Sequence, residues 1–232
     1  MFFVFICFFT ALDYTKHLFC IIVSQKSDNV NTPFLTLRFI VKCVYPIKLQ
    51  YINESFRRKF DMYISYYQSP LGQIDMTGDG EFLTGLWFDS STDAQKHNCK
   101  FEEKELPIFN EVSKWLDIYF SEKEPDFTPK YKIFGLTSFR ASVIDIINKI
   151  PYGKTVSYND IAKQIAKTRG IQKMSAQAVG GAVGWNPICI IIPCHRVVGS
   201  NGALTGYGGG LQNKIGLLKC EHVDISNFFL PK

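Results

Sequence analysis

The 232-residue sequence predicts an α+β fold, with a small N-terminal α/β domain at residues 62–134 and a helical C-terminal domain at residues 137–225. Apolar and polar residues alternate between turn signals over residues 62–90, which predicts a β-hairpin or meander. Apolar residues then recur at helical spacing from Leu106 to Phe120, which predicts an amphipathic helix. After a proline-containing linker the pattern stays helical, and strands followed by helices are typical of an α+β chain.

The first 61 residues differ from the rest of the chain. They carry no helix caps, no sustained apolar period and no motif. Their apolar run from Met1 to Leu12 is too short to span a bilayer and lacks the flanks of a signal peptide. We interpret residues 1–61 as a leader or a mis-assigned start, and expect a chain that begins at Met62 to fold and act. The first interpretation is a true start at Met62, and a short-lived leader or a membrane anchor is the alternative to it.

Cap residues divide the C-terminal domain into short helices. Ser157 is suited to cap one helix, which Gly170 ends, and Ser175 is suited to cap the next, at residues 176–183. Two short helices joined by a glycine-containing turn predict a helix-turn-helix, although many helical hairpins share this spacing.

The second of these helices carries almost no side-chain bulk, with Ala178 and Ala182 on either side of Gly180 and Gly181. Glycine costs about 1 kcal/mol relative to alanine in a helix, so two in succession need a reason. Close approach of another surface supplies one. Tight packing within the protein and entry into a DNA groove both remain open at this point.

Charge and cysteine content narrow the function classes. Residues 62–136 carry 7 basic and 13 acidic side chains, a net of −6, whereas residues 137–225 carry 10 basic and 4 acidic ones, a net of +6. This asymmetry indicates a C-terminal half that meets a polyanion, or an ordinary solvated surface. Seven cysteines without a CxxC pair argue against a disulfide framework and a zinc ribbon, and favour reduced thiols in a cytosolic protein.

One cysteine, Cys194, has a histidine beside it. The apolar run at residues 188–192 predicts a buried strand or extended segment that delivers Cys194, His195 and Arg196 at its end. A thiol is a good nucleophile only as a thiolate, and His195 and Arg196 supply a base and a positive charge. The glycine-rich stretch at residues 202–210 offers backbone N–H groups to an anion or an oxyanion, without the spacing of a Walker or dinucleotide loop.

These segments together resemble the O6-alkylguanine-DNA alkyltransferase family. The resemblance lies in IPYGKTVSY at 150–158, AVGGA at 178–182, IIPCHRVV at 191–198 and TGYGGG at 205–210. It is close over residues 137–225 and looser over residues 62–134, where it implies a ribonuclease H-like domain. It implies DNA repair by direct reversal, in which an alkyl group moves irreversibly and stoichiometrically from O6-alkylguanine to Cys194. O4-alkylthymine is a second candidate substrate.

The resemblance also implies roles for individual residues. His195 would take the proton of Cys194 through a water, and Glu221 would orient His195, much as a carboxylate orients the base of a triad. Asn186 would brace the active-site loop. Tyr158 would donate to N3 of the flipped base or contact the DNA backbone near it.

Further residues would bind guanine or DNA. The carbonyls of Cys194 and Val197 would accept from the guanine amino group, and the N–H of Gly208, behind Tyr207, would bind O6. Lys214 would support this loop. The predicted DNA-binding set also includes Arg196, Ala178, Gly181 and Gln177, and Gln177 stands where relatives usually insert an arginine into the DNA stack.

The same resemblance implies the setting of the reaction. We expect no cofactor, no metal and no membrane association. The expected partner is double-stranded DNA with an alkylated guanine, met by a monomer in the cytoplasm, or in the nucleus of a eukaryote. Two other functions stay open on the sequence alone: a module that binds alkylated DNA without reacting, and a cysteine hydrolase.

Overall fold

The computed structural model describes residues 62–89, 91–92 and 101–230 with their side chains. The chain divides into two compact units, Met1–Arg58 and Lys59–Lys232. In the first unit, strands β1 (Val4–Phe5), β2 (Ile21–Val23) and β3 (Ile40–Lys42) pair as an antiparallel sheet. Apart from these strands, the interpretation of residues 1–61 as a leader or mis-assigned start lies outside the described residues.

The second unit begins with the predicted meander, which is confirmed. Strands β4 (Tyr63–Ser69), β5 (Gly72–Gly78) and β6 (Leu83–Phe88) pair antiparallel, and β7 (Glu102–Glu103) lies parallel to β4, in the order β6-β5-β4-β7. The first turn closes because Ser69 Oγ bonds to the carbonyl of Gly72, which has a left-handed φ of 114°.

The predicted amphipathic helix is confirmed as α1 (Pro107–Phe120), and it packs against β4 and β5. Proline at its first turn suits a position whose N–H has no helical partner. The linker that follows returns to the edge of β6, where Leu83 exchanges backbone hydrogen bonds with Lys130 and Lys132 at 2.9 and 2.8 Å. The buried stripe of α1 is Ile108, Phe109, Val112, Trp115, Leu116 and Tyr119.

The remainder of the unit is mostly helical. Both predicted caps are confirmed, because Ser157 and Ser175 accept hydrogen bonds from the first turns of their helices, and Gly170 ends the earlier helix with a φ of 63°. The elements are α2 (Ser138–Ile147), β8 (Val156–Ser157), α3 (Tyr158–Arg169), α4 (Ala176–Val183), β9 (Val197–Val198) and α5 (Leu211–Cys220), with β8 and β9 paired in parallel.

The segment at residues 188–192 is buried as predicted, but the prediction of a strand or extended segment is wrong. Only Ile188 pairs with a strand, through Leu86 of β6. The chain then turns tightly, with Ile190 at a φ of 69° and Ile192 N–H bonded to Ile188 O at 3.1 Å. Five consecutive apolar residues fit a buried turn as well as a buried strand, so their burial carried no information on conformation.

No helix in the described part of the chain is long and apolar enough to cross a membrane.

Candidate active site

Cys194 opens a short 3-10 turn, Cys194–Arg196, that follows the buried turn at 188–192. Its side chain is almost inaccessible, with 5% exposure. Asn186 Nδ2 lies 3.0 Å from the Cys194 sulfur and also within 3.2 Å of Ile188 O and 3.0 Å of Ile192 O. The amide therefore folds the preceding turn and directs a donor at the sulfur, which favours the thiolate over the thiol.

Glu221, at the end of α5, is the most heavily bonded side chain of the site. Its carboxylate accepts from His195 Nε2 at 2.6 Å, from Tyr119 Oη at 2.8 Å and from the N–H of Gly153 at 3.1 Å. Arg196 adds two bonds, from Nε at 2.8 Å and from Nη2 at 3.0 Å. These five donors compensate a carboxylate that is only 2% exposed.

The charge of Glu221 follows from these partners. Burial by itself would raise the pKa of the carboxyl, but the hydrogen bonds and charges of His195 and Arg196 outweigh it and lower the pKa to about 2. Glu221 is therefore ionised at neutral pH, and it accepts hydrogen bonds without donating any.

An ionised Glu221 fixes the tautomer of His195. Because the carboxylate only accepts, the proton of the neutral ring sits on Nε2, and Nδ1 carries a lone pair. No group among the described residues hydrogen-bonds to this buried Nδ1. Burial lowers the pKa of His195 and outweighs the attraction of Glu221, so the resting ring is neutral. His195 is thus set as a base at Nδ1.

Arg196 points into the protein, toward Glu221 and the backbone of Ile150. Besides its bonds to Glu221, its Nη1 donates to Ile150 O at 2.6 Å, and its side chain is 12% exposed. This geometry gives Arg196 the task of neutralising Glu221. It lends no support to the prediction that Arg196 binds DNA, because the guanidinium is already occupied.

Lys214 supports the loop that follows the 3-10 turn. Its ammonium donates to Val197 O at 2.6 Å and to Thr205 O at 3.1 Å. Burial lowers the pKa of Lys214 to about 8, although negative charge on Cys194 opposes the shift. The Val197 carbonyl keeps one lone pair for a further donor, such as the predicted guanine amino group.

A small cleft adjoins Cys194. The hydroxyl of Tyr158 at its edge donates to Gly206 O at 3.4 Å. Thr92, from the N-terminal part of the unit, donates to Gly208 O at 3.1 Å and so anchors the far side of the loop. Burial raises the pKa of Tyr207, whose hydroxyl lies in the interior. The lining residues are Val183, Gly184, Asn186, Cys194, Gly206, Tyr207 and Gly208.

Two of the small residues of helix α4 face outward, whereas Ala182 is buried. Gln177, Ala178, Gly181 and Gly184 are exposed, and 177, 181 and 184 share one helical face. A Cβ added at Gly181 would meet no atom of the described residues within 4 Å. Packing within the described part of the chain therefore does not require glycine at 181, which favours close approach of an external surface. Exposed cations lie on α3 and the turn before α4, at Lys163, Lys167, Arg169 and Lys173.

Two sequence comparisons bear on this site. The chain matches the 6-O-methylguanine DNA methyltransferase DNA binding domain at residues 138–223 and the ribonuclease-like domain of the same family at residues 62–131. It is 40% identical over 160 residues to the methylated-DNA–protein-cysteine methyltransferase of Methanosarcina acetivorans, which covers 69% of this chain and 98% of the relative. The chain belongs to the 6-O-methylguanine DNA methyltransferase family.

Other members of the family agree with this assignment. The methylated-DNA–protein-cysteine methyltransferase of Haemophilus influenzae is 37% identical, over 70% of this chain and 87% of that relative. Mycobacterium tuberculosis OGT, solved in complex with DNA, superposes with a TM-score of 0.60 at 36% identity, over 68% of this chain and 92% of that one. The predicted family and α+β fold class are confirmed.

The structure brings most predicted methyltransferase site residues together around Cys194, and it adds two that the sequence did not single out. Tyr119 and Gly153 both donate to Glu221 from distant parts of the chain. In the sequence Tyr119 is one more apolar-face position of a helix, and no pattern separates it from its core neighbours. Within the described residues, no group of three or more His, Cys, Asp or Glu side chains is placed to hold a metal ion.

Proposed function

We propose that this protein repairs DNA by direct reversal, moving the alkyl group of O6-alkylguanine onto Cys194 once per molecule. One observation carries the proposal: a buried cysteine, bonded by Asn186, precedes a neutral imidazole whose tautomer Glu221 fixes, and it lines a small cleft. The relatives are named for methylated DNA as substrate and a protein cysteine as acceptor.

The first step is proton removal. His195 Nδ1 takes the proton of Cys194 through a bridging water, and Glu221 stabilises the imidazolium that forms. The donor from Asn186 stabilises the thiolate in the same step. Arg196 keeps Glu221 ionised, so the carboxylate accepts from Nε2 throughout.

The second step is displacement at the alkyl carbon. The thiolate lone pair forms the S–C bond, the C–O6 bond breaks, and its electron pair goes to O6 of guanine. The N–H of Gly208 stabilises the charge that develops on O6, and the Tyr158 hydroxyl exchanges its bond to Gly206 O for one to N3 of the base. The thioether on Cys194 has no leaving group that would return the thiol, so each molecule acts once and no cofactor takes part.

The substrate base must leave the stack to reach Cys194. We assign the exposed face of α4 to the DNA groove, with α3 and α4 as a helix-turn-helix and the α3 cations near phosphates. The partner is double-stranded DNA and the protein acts as a monomer. Residues 62–134 and 137–225 form its two domains, and it works in the compartment that holds DNA: the cytoplasm, or the nucleus of a eukaryote.

Intact-mass measurement after incubation with a duplex containing one O6-methylguanine tests the proposal. We expect a single adduct of one methyl group on Cys194, in proportion to the substrate, and the same adduct in Cys189→Ala. An unchanged mass together with tight binding would indicate a recognition module instead, and repeated turnover of an ester or amide would indicate a cysteine hydrolase.

A further inference from the structure

We infer that Tyr119, on helix α1 of the ribonuclease-like domain, is a positioning residue that holds the His195–Glu221 pair in the geometry for proton uptake. The inference rests on the proposed function, since it assigns Tyr119 to the base that activates Cys194. It extends the reaction machinery into a domain that carries none of the residues described so far as reacting.

The position of the hydroxyl supports this role. Tyr119 is fully buried, and its Oη lies 2.8 Å from Glu221 Oε1 and 3.3 Å from His195 Nε2. Within the described part of the chain, its one further hydrogen-bond neighbour, Leu217 O, is 3.5 Å away. The hydroxyl has one proton and the ionised carboxylate only accepts, so Tyr119 donates to Oε1. The same oxygen accepts from His195 Nε2, so the two donors restrain each other.

The aromatic ring is held in place from its own domain. It stacks on Trp115 at 5.4 Å with an interplanar angle of 9°, and its edge meets Phe120 at 5.3 Å and 88°. Trp115 is itself fixed by a bond from Nε1 to Phe127 O at 2.8 Å. The ring also meets Tyr152 at 6.2 Å and His195 at 6.3 Å, both in edge-on contacts. The hydroxyl therefore takes its position from the packing of α1 together with these two rings.

Removal of this donor has a defined electrostatic consequence. The charged groups that face His195 are Glu221, Arg196 and Lys214. Without the Tyr119 hydroxyl, Oε1 presents more negative charge to Nε2 and stabilises the imidazolium more strongly. His195 then stays protonated to a higher pH. The pair also loses a restraint, so the rate should fall even where the base is neutral.

The test compares Tyr119→Phe with Tyr152→Phe. Tyr152 is a matched control because its hydroxyl donates to the backbone carbonyl of Cys220 at 2.8 Å, one residue from Glu221, without touching the carboxylate. Single-turnover rates are measured against pH with duplex O6-methylguanine and with free O6-benzylguanine, alongside DNA affinity and melting temperature.

We expect Tyr119→Phe to lower the plateau rate on the order of tenfold on both substrates, as for loss of a hydrogen bond to a charged group. The acid-side midpoint should move to higher pH, with DNA affinity unchanged, and Tyr152→Phe should leave the midpoint in place. A lower melting temperature with an unmoved midpoint would overturn the inference and leave Tyr119 a core residue.

A second variant covers the case in which Tyr119→Phe does not fold. 3-Fluorotyrosine at position 119 keeps the ring and strengthens the donor, so the midpoint should move to lower pH. An unmoved midpoint in this variant would equally overturn the inference. If the wild type forms no adduct, the proposed function is wrong. If the wild type reacts, and both Tyr119→Phe and the 3-fluorotyrosine variant have the wild-type midpoint, only the role of Tyr119 is wrong.

Discussion

Two regions flank Cys194 and differ in where their partners come from. Around Glu221, five donors from four residues satisfy one carboxylate entirely within the chain. On helix α4, Gln177, Ala178 and Gly181 face outward, and no atom of the described residues lies within 4 Å of a Cβ placed on Gly181. Changes in the first region should cost stability and chemistry together, whereas changes in the second should cost DNA binding alone.

The largest effect is expected at the residue between the two regions. Cys194→Ala removes the nucleophile, so alkyl transfer should be abolished, whereas DNA affinity should hold because a small buried thiol is not a DNA anchor. Intact-mass measurement checks the loss of alkyl transfer, and fluorescence anisotropy with duplex DNA checks the unchanged affinity. Any adduct formed by Cys194→Ala would refute the assignment of the acceptor.

Next comes the buried carboxylate. Glu221→Gln leaves Arg196 buried without its counter-charge, and it should lower the free energy of unfolding near pH 7 by about 3 kcal/mol and slow alkyl transfer. Chemical denaturation at several pH values measures the stability. Asp224→Asn, which removes an exposed carboxylate from the same C-terminal segment, is the control.

The stabilising effect of ionised Glu221 should also appear in the pH dependence of the free energy of unfolding. The folded-state pKa of Glu221, about 2, lies below the ordinary value of 4.5, so its contribution is complete above about pH 4.5 and is lost as pH falls toward 2. That shift corresponds to about 3 kcal/mol. The wild type should therefore lose more stability than Glu221→Gln between pH 5 and 2, and parallel curves would contradict the ion-pair description.

On the exposed side, Gly181→Leu should weaken DNA binding on the order of tenfold, because a bulky side chain then stands between α4 and the groove. The fold should tolerate it, since a Cβ at 181 meets no atom of the described residues within 4 Å and leucine is a better helix former than glycine. The rate with free O6-benzylguanine should not change. Gly181→Ala is a graded control, with a smaller loss of affinity.

The sequence predicted these two regions unequally, for physical reasons. Local sequence was enough to predict the outward-facing region. The helix caps at Ser157 and Ser175, like the small residues of α4, act on neighbouring residues, so their spacing along the chain predicts them. The turn at residues 188–192 depends on the Asn186 side chain, and the place of Arg196 depends on Glu221, which is 25 residues away. Tyr119 lies 102 residues from Glu221, and no local pattern encodes a contact of that length.

The smallest effect is expected for Gln177→Arg, and it tests most directly whether the outward-facing region acts on DNA alone. If Gln177 occupies the place of the arginine that relatives insert into the DNA stack, Gln177→Arg should tighten duplex binding by about 1 kcal/mol and speed repair in duplex DNA. The guanidinium stacks in the space that the flipped base leaves and attracts phosphates, whereas glutamine offers only amide hydrogen bonds.

The gain should shrink at high salt, since part of it is phosphate attraction. Rates on free O6-benzylguanine should barely change, because no base is flipped, and Gln177 is exposed rather than part of the Glu221 network. Equal changes in the rate on duplex DNA and on the free base would instead place Gln177 in the reaction site. The division of the molecule into an inward-bonded region and an outward-facing region would then be wrong at that residue.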